Sequence, residues 1–296
     1  MRQRSLFGFV ILALAASTAA AAPQQGHFLS NGVKISYVEE GQGEPVVLIH
    51  GFSANAMMNW VLPGVFANLS KHYHVIALDN RGHGRSGKPH EIEKYGPEMV
   101  EDVVRLLDHL HIQKAHIIGY SMGGFITEKL IVTHPERVIC AVVGGAGWRK
   151  PDDTNPIIEA VAKSLEEGNG IAPLMKALTP PGVPVPSDEQ LKARNTLIMA
   201  NNDPKALAAC IRGMRNLEIT KQQLEQNKVP VLAIIGEKDP LKVGVDDMTG
   251  VLANLKVVVV PKGDHMSTFQ SPIFTGSVNE FLSAHSHHPA TASVGK

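Results

Sequence analysis

Only two cysteines occur among the 296 residues, and neither C-x-x-C nor H-E-x-x-H spacing is present, so nothing in the chain spells a metal site. Cys140 lies in an apolar, strand-like run and Cys210 in a helix-like one. Both read as buried thiols, with a disulfide between them as the alternative for an exported chain. Charge is equally sparse: charged residues make up 19% of the sequence, with 28 of each sign and a formal net charge of zero. Without a long run of like charge, the chain offers no footing for nucleic acid or an acidic membrane surface. Its glycine-bearing loops lack the spacing of a P-loop or a dinucleotide fingerprint, so a phosphate-binding reading is weak.

Long hydrophobic runs are missing except at the start. Arg2 and Arg4 precede an apolar stretch at 6–15 that is too short to cross a bilayer permanently, and small residues follow at 17–22. This is the pattern of an export signal, with the mature chain starting between Ala21 and Gln24 and leading to the periplasm or the medium. An uncleaved membrane anchor is the alternative reading. The arginines are not adjacent and no cysteine lies near the cleavage region, so neither twin-arginine export nor lipidation applies.

What the chain does have is a repeated alternation of short β-branched runs and amphipathic stretches. Strands are expected at 33–38, 45–49, 74–78, 115–118, 138–143, 229–235 and 256–260, and helices at 54–69, 99–110 and 271–284. The alternation predicts an α/β fold with a mostly parallel central sheet and helices on both faces. The rhythm breaks at Trp148. From there to 226 the pattern is helical, interrupted by the Pro-rich segment 179–186, and reads as an inserted helical cap. The expected organisation is therefore a signal at 1–22, a core at 23–147 and 227–284, a cap at 148–226 and a disordered tail at 285–296.

Chemistry is expected at the carboxyl ends of the strands. Gly119-Tyr120-Ser121-Met122-Gly123 joins a buried-type strand to a helix start. Glycines two residues either side let the chain reverse tightly and force the serine hydroxyl outward, the pattern of a nucleophile elbow. Gly236-Glu237-Lys238-Asp239-Pro240 offers a carboxylate to orient a histidine; Asp239 is preferred and Glu237, directly after the turn glycine, is the weaker choice. Gly263-Asp264-His265 supplies a general base. The order Ser121, Asp239, His265, each after its own strand, is the order of this hydrolase architecture. His50-Gly51-Phe52-Ser53 lies where a backbone donor is needed, so the amides of Phe52 and Met122 are the expected oxyanion hole, with His50 as a structural residue. In the loop 79–86, Asp79 and Arg81 are expected to tie the backbone to its neighbours.

Together these motifs resemble the α/β-hydrolase superfamily over most of residues 27–284. The resemblance implies a Ser121–His265–Asp239 triad working through an acyl-enzyme, with neither cofactor nor metal. Ser121-Met122-Gly123-Gly124 is similar to small-cap esterases, cofactor-free haloperoxidases or perhydrolases, and carbon–carbon bond hydrolases. A serine nucleophile argues against the haloalkane dehalogenases and epoxide hydrolases, whose nucleophile is a carboxylate. The expected substrate is a small to medium, partly apolar carboxylic ester, because Trp148, Leu174, Met175, Leu178 and Met199 would give the cap an apolar lining. Lactone, perhydrolase and carbon–carbon chemistry remain alternatives, as does a non-enzymatic small-ligand binding protein on the same scaffold. A lipase acting at a lipid surface would need a more exposed apolar lid. No stable membrane anchor is expected, and the oligomeric state is not legible.

Overall fold

The expected alternation builds one eight-stranded sheet with the order β1-β2-β4-β3-β5-β6-β7-β8. The computed structural model describes residues 23–151 and 156–286, so the expected signal at 1–22 and nearly all of the expected tail lie outside it. β1 (Gln24–Ser30) and β2 (Val33–Glu40) form an antiparallel hairpin, and β2 pairs antiparallel with β4 (His74–Leu78). β3 (Pro45–Ile49), β5 (Ala115–Tyr120), β6 (Val138–Gly144), β7 (Val231–Gly236) and β8 (Leu255–Val260) complete a parallel array with β4.

Side-chain alternation along the strands sets up two packing layers. Val47, Ile49 and Ile117 point into one cluster, shared with α2 (Pro97–His109) and α3 (Met122–Thr133). Val46, Leu48 and Ile118 point into the other, under α1 (Val65–Leu69) and α10 (Pro272–His285). α10 runs one residue further than expected, so His285 belongs to a helix and not to the tail.

Between β6 and β7 come α4 (Ile157–Glu166), α5 (Ala172–Ala177), α6 (Asp188–Met199), α7 (Pro204–Gly213) and α8 (Lys221–Gln226), and α9 (Lys242–Met248) follows β7. α4 and α7 bury Val161, Leu165, Leu207 and Cys210 in the same cluster as the sheet, so these helices share the main core. The two cysteines are separate buried thiols and not a disulfide. Cys140 Sγ lies 3.1 Å from His116 Nδ1, whereas Cys210 Sγ lies 3.9 Å from Met99 Sδ and 3.7 Å from Met122 Sδ.

The helix expected at 54–69 is broken. A turn of π-helix at Met57–Val61 is followed by Pro63 and Gly64, whose φ of 84° ends it before α1 begins.

Glu128 of α3 is fully enclosed, and neither carboxylate oxygen has a hydrogen-bond partner among the described residues. Burial alone pushes its carboxyl up from 4.5 to about 8, so the folded chain retains a proton that the unfolded chain releases. Stability is then fully present below pH 4.5 and is lost as pH rises toward 8. Glu128→Gln removes the titration and should exceed wild type at pH 7 by on the order of 3 kcal/mol. Urea midpoints for both proteins from pH 5 to 9 check this; a constant difference across that range would show that Glu128 does not titrate on unfolding.

Candidate active site

The elbow is a packing solution as much as a turn. A Cβ at Gly119 would lie 2.0 Å from the Gly123 carbonyl oxygen, and one at Gly123 would lie 2.0 Å from that of Ile49. Only glycines allow strand β5, the start of α3 and the end of β3 to come this close. Ser121 between them has φ 54° and ψ −115°, a conformation costly for any residue with a Cβ. Its own N–H donates to the Gly144 carbonyl at 2.8 Å and its carbonyl accepts from Phe125 N at 3.1 Å, so both neighbouring elements hold the strained residue.

The hydroxyl thus presented meets the loop after β8. His265 Nε2 stands 3.0 Å from Ser121 Oγ, and His265 Nδ1 stands 2.8 Å from Asp239 Oδ2. Asp239 and His265 are both buried, whereas Ser121 is partly exposed. The two loops are also joined by backbone, since Lys238 N donates to the Gly263 carbonyl at 2.8 Å. The second oxygen of Asp239 accepts from Leu241 N at 2.9 Å, which fixes the carboxylate plane. Glu237, the weaker choice of acid, is turned elsewhere: its Oε2 accepts from Lys262 N at 2.7 Å.

Gly51 lies against Ser121, where a Cβ would stand 3.4 Å from that of the serine. Its N–H donates to Asn59 Oδ1 at 2.9 Å, so it is the next amide along the loop, that of Phe52, that was expected as a donor. Met122 opens α3, so its N–H has no acceptor within the helix and sits at the positive end of the helix dipole.

His50 is a scaffold. Its Nδ1 bonds the Gly51 carbonyl at 2.7 Å, and its Nε2 accepts from Asn80 N at 2.9 Å. Burial lowers its pKa to about 4, and burial beside His50 lowers that of His83 to about 3. Both rings are therefore neutral and neither is placed to serve as the base. Asp79 accepts from Ala56 N at 2.9 Å and Arg85 N at 2.8 Å, tying the loop after β4 to the loop after β3. Arg81 makes a two-pronged pair with Asp102 of α2 at 2.7 and 2.6 Å. Asn59 and Asn80, which shape the Gly51 turn through side-chain bonds, have no motif that marks them in the sequence.

Of the residues expected to line the cap, Trp148, Leu174, Met175 and Met199 are partly buried against the main core, and Leu178 closes α5. The Trp148 indole donates to the Ile219 carbonyl at 2.7 Å, and Lys150 Nζ lies 5.2 Å from its ring centroid. No group of three or more His, Cys, Asp or Glu residues among those described could hold a metal ion.

Comparison with known proteins bears on the fold that carries these residues. Residues 44–168 match the family described as alpha/beta hydrolase fold. The chain is 29% identical over 271 residues to the 2-hydroxy-6-oxo-6-(2'-aminophenyl)hexa-2,4-dienoic acid hydrolase of Metapseudomonas resinovorans, covering 86% of this chain and 89% of that one. It is 27% identical to 3-oxoadipate enol-lactonase 2 of Acinetobacter baylyi, over 72% of this chain and 79% of the relative. Among solved structures it is similar to Est816, described as an N-acyl homoserine lactone degrading enzyme, with 28% identity, a TM-score of 0.70 and coverage of 88% and 100% of the two chains. Its sheet, its elbow and these relatives support an α/β-hydrolase superfamily member.

Proposed function

We propose that this hydrolase cleaves small to medium, partly apolar carboxylic esters, with Ser121 as nucleophile, His265 as general base and acid, and Asp239 as the orienting carboxylate. The observation that carries the reading is the unbroken chain Ser121–His265–Asp239 at 3.0 and 2.8 Å. Ser121 Oγ attacks the carbonyl carbon as His265 Nε2 takes its proton, and the amides of Phe52 and Met122 hold the resulting oxyanion. Collapse breaks the bond to the alcohol oxygen, which leaves with the proton from His265. Water then attacks the acyl-serine, giving its proton to His265; the carbon–Oγ bond breaks, the proton returns to Ser121 and the acid departs. Each step balances without a redox partner.

Two of the relatives are described by action on lactones, which are cyclic esters, and this favours ester-type substrates. The dienoic acid hydrolase relative supports a second reading, cleavage of a carbon–carbon bond next to a carbonyl by the same residues.

The test uses protein recovered after export from the full-length gene. Its first residue, expected between Ala21 and Gln24, reports the export in the same preparation. Turnover of p-nitrophenyl esters of graded acyl length is expected, falling for long chains, with a fluorophosphonate adduct mapping to Ser121 by peptide mass. An adduct without turnover of any ester would move the reading to carbon–carbon substrates, and the absence of both would favour a ligand-binding protein.

A further inference from the structure

The Ser121–His265 bond joins loops from strands that are not neighbours, since β5 and β8 are separated by β6 and β7. At about 4.8 Å per strand the gap is about 14 Å, so something must bring the histidine loop back across the sheet edge. Asp239 and Lys238 do this only as far as β7, because both lie on the loop that follows it. The remaining span, from β7 to the strand of the nucleophile, is crossed by Tyr120.

Tyr120 is the last residue of β5, directly before Ser121. Its hydroxyl donates to the backbone carbonyl of His265 at 2.6 Å. The ring reaches that carbonyl by lying over the end of β6, where Gly144 and Gly145 leave a slot. A Cβ at either glycine would come within 2.7 Å of the ring, and Gly145 is further committed by its φ of 56°. The ring is closed in by Phe269 at 5.1 Å, Phe274 at 6.0 Å and the His265 ring itself at 5.7 Å between centroids. The loop it holds is internally braced, with Thr268 Oγ1 donating to the Asp264 carbonyl at 2.6 Å. Burial, ahead of the nearby Asp239 charge, raises the phenol well above its ordinary value, so the hydroxyl keeps its proton and remains a donor throughout the working pH range.

We infer that Tyr120 is a positioning residue: a spacer between the nucleophile strand and the histidine loop that sets the distance from His265 Nε2 to Ser121 Oγ. The inference rests on the proposed roles of Ser121 and His265. Tyr120 touches no reacting atom and acts through His265, so its removal should impair proton transfer and leave substrate binding alone.

Tyr120→Phe keeps the ring in its slot and deletes only the hydroxyl. On a p-nitrophenyl ester its kcat should fall about tenfold with KM within about twofold, because small misplacements of a reacting group are expensive. The decisive measurement is the double variant with His265→Ala. With the base gone, Tyr120→Phe should cost nothing further; the same tenfold loss in that background would mean that Tyr120 merely supports the elbow, and would overturn the inference. A second readout needs no turnover. The low-field proton resonance of the His265–Asp239 bond, assigned by its loss in His265→Ala, should shift or broaden in Tyr120→Phe. A moved resonance in a protein inactive on all esters would retain the spacer while the ester reading fails. An unmoved resonance with unchanged kcat would sink the spacer while the ester reading stands.

Discussion

Asparagine in place of Asp239 is expected to lower kcat on a p-nitrophenyl ester about 10⁴-fold, the loss seen when the orienting acid of a serine-protease triad is made an amide. Asp239 Oδ2 lies 2.8 Å from His265 Nδ1, and as a carboxylate it can only accept, so it holds the proton on Nδ1 and leaves Nε2 as a lone pair facing Ser121 Oγ at 3.0 Å. An asparagine can turn its amide group toward the ring. Nδ1 then becomes the acceptor, the ring proton moves to Nε2, and the base meets the nucleophile with a hydrogen instead of a lone pair. The positive ring formed in the transition state also loses its counter-charge. KM should change little, since neither effect touches the ground-state ester. Glu237→Gln is the matched control. Its carboxylate accepts from Lys262 N and not from His265, so its kcat should stay within about twofold of wild type. Loss of activity in Glu237→Gln with retention in Asp239→Asn would exchange the two assignments.

The features that were legible in the sequence are those that glycine and strand ends enforce. The turns at Gly119, Gly236 and Gly263 each follow a β-branched run, and parallel strands place such turns along one edge. The residues just beyond them, Ser121, Asp239 and His265, are the three that the structure brings into hydrogen-bonding distance. The parallel sheet with helices on both faces was readable for the same reason: its central strands are mostly apolar. β1 was not read, because Gln24–Ser30 is a polar edge strand with little period-two contrast, and its partner β2 supplies the pairing. The 54–69 stretch carried a helical pattern, but Pro63 and the left-handed Gly64 divide it. Tyr120 gave no signal at all. Its role comes from a slot made by Gly144 and Gly145 at the end of another strand and from a backbone carbonyl far along the chain, and neither has a local pattern. The burial of Glu128 was hidden likewise, since in sequence it is one charged residue within an ordinary helix.

Gly123→Ala is expected to damage the fold and the site together. The new carbon would lie 2.0 Å from the Ile49 carbonyl oxygen, 2.6 Å from its carbon and 3.0 Å from the His50 oxygen. All three are backbone atoms of β3 and the loop after it, so no side-chain rotation relieves the contact; the start of α3 must move off the end of β3. That movement shifts Ser121 and the Met122 amide relative to the loop that carries the Phe52 amide. Overpacking against rigid backbone should cost about 3 kcal/mol or more in stability, and the disrupted geometry at least about 100-fold in kcat. Gly276→Ala provides the contrast. Gly276 is exposed in α10 with nothing within 4 Å of the added carbon, so alanine there should stabilise by roughly 0.5–1 kcal/mol through its better helix propensity. Denaturant midpoints for both variants, together with the rate of fluorophosphonate labelling at Ser121, separate the effects. If Gly123→Ala unfolded and was labelled like wild type, the tight contact between β3 and α3 could not be what builds the elbow. If stability held but labelling fell, the glycine would serve the site and not the fold.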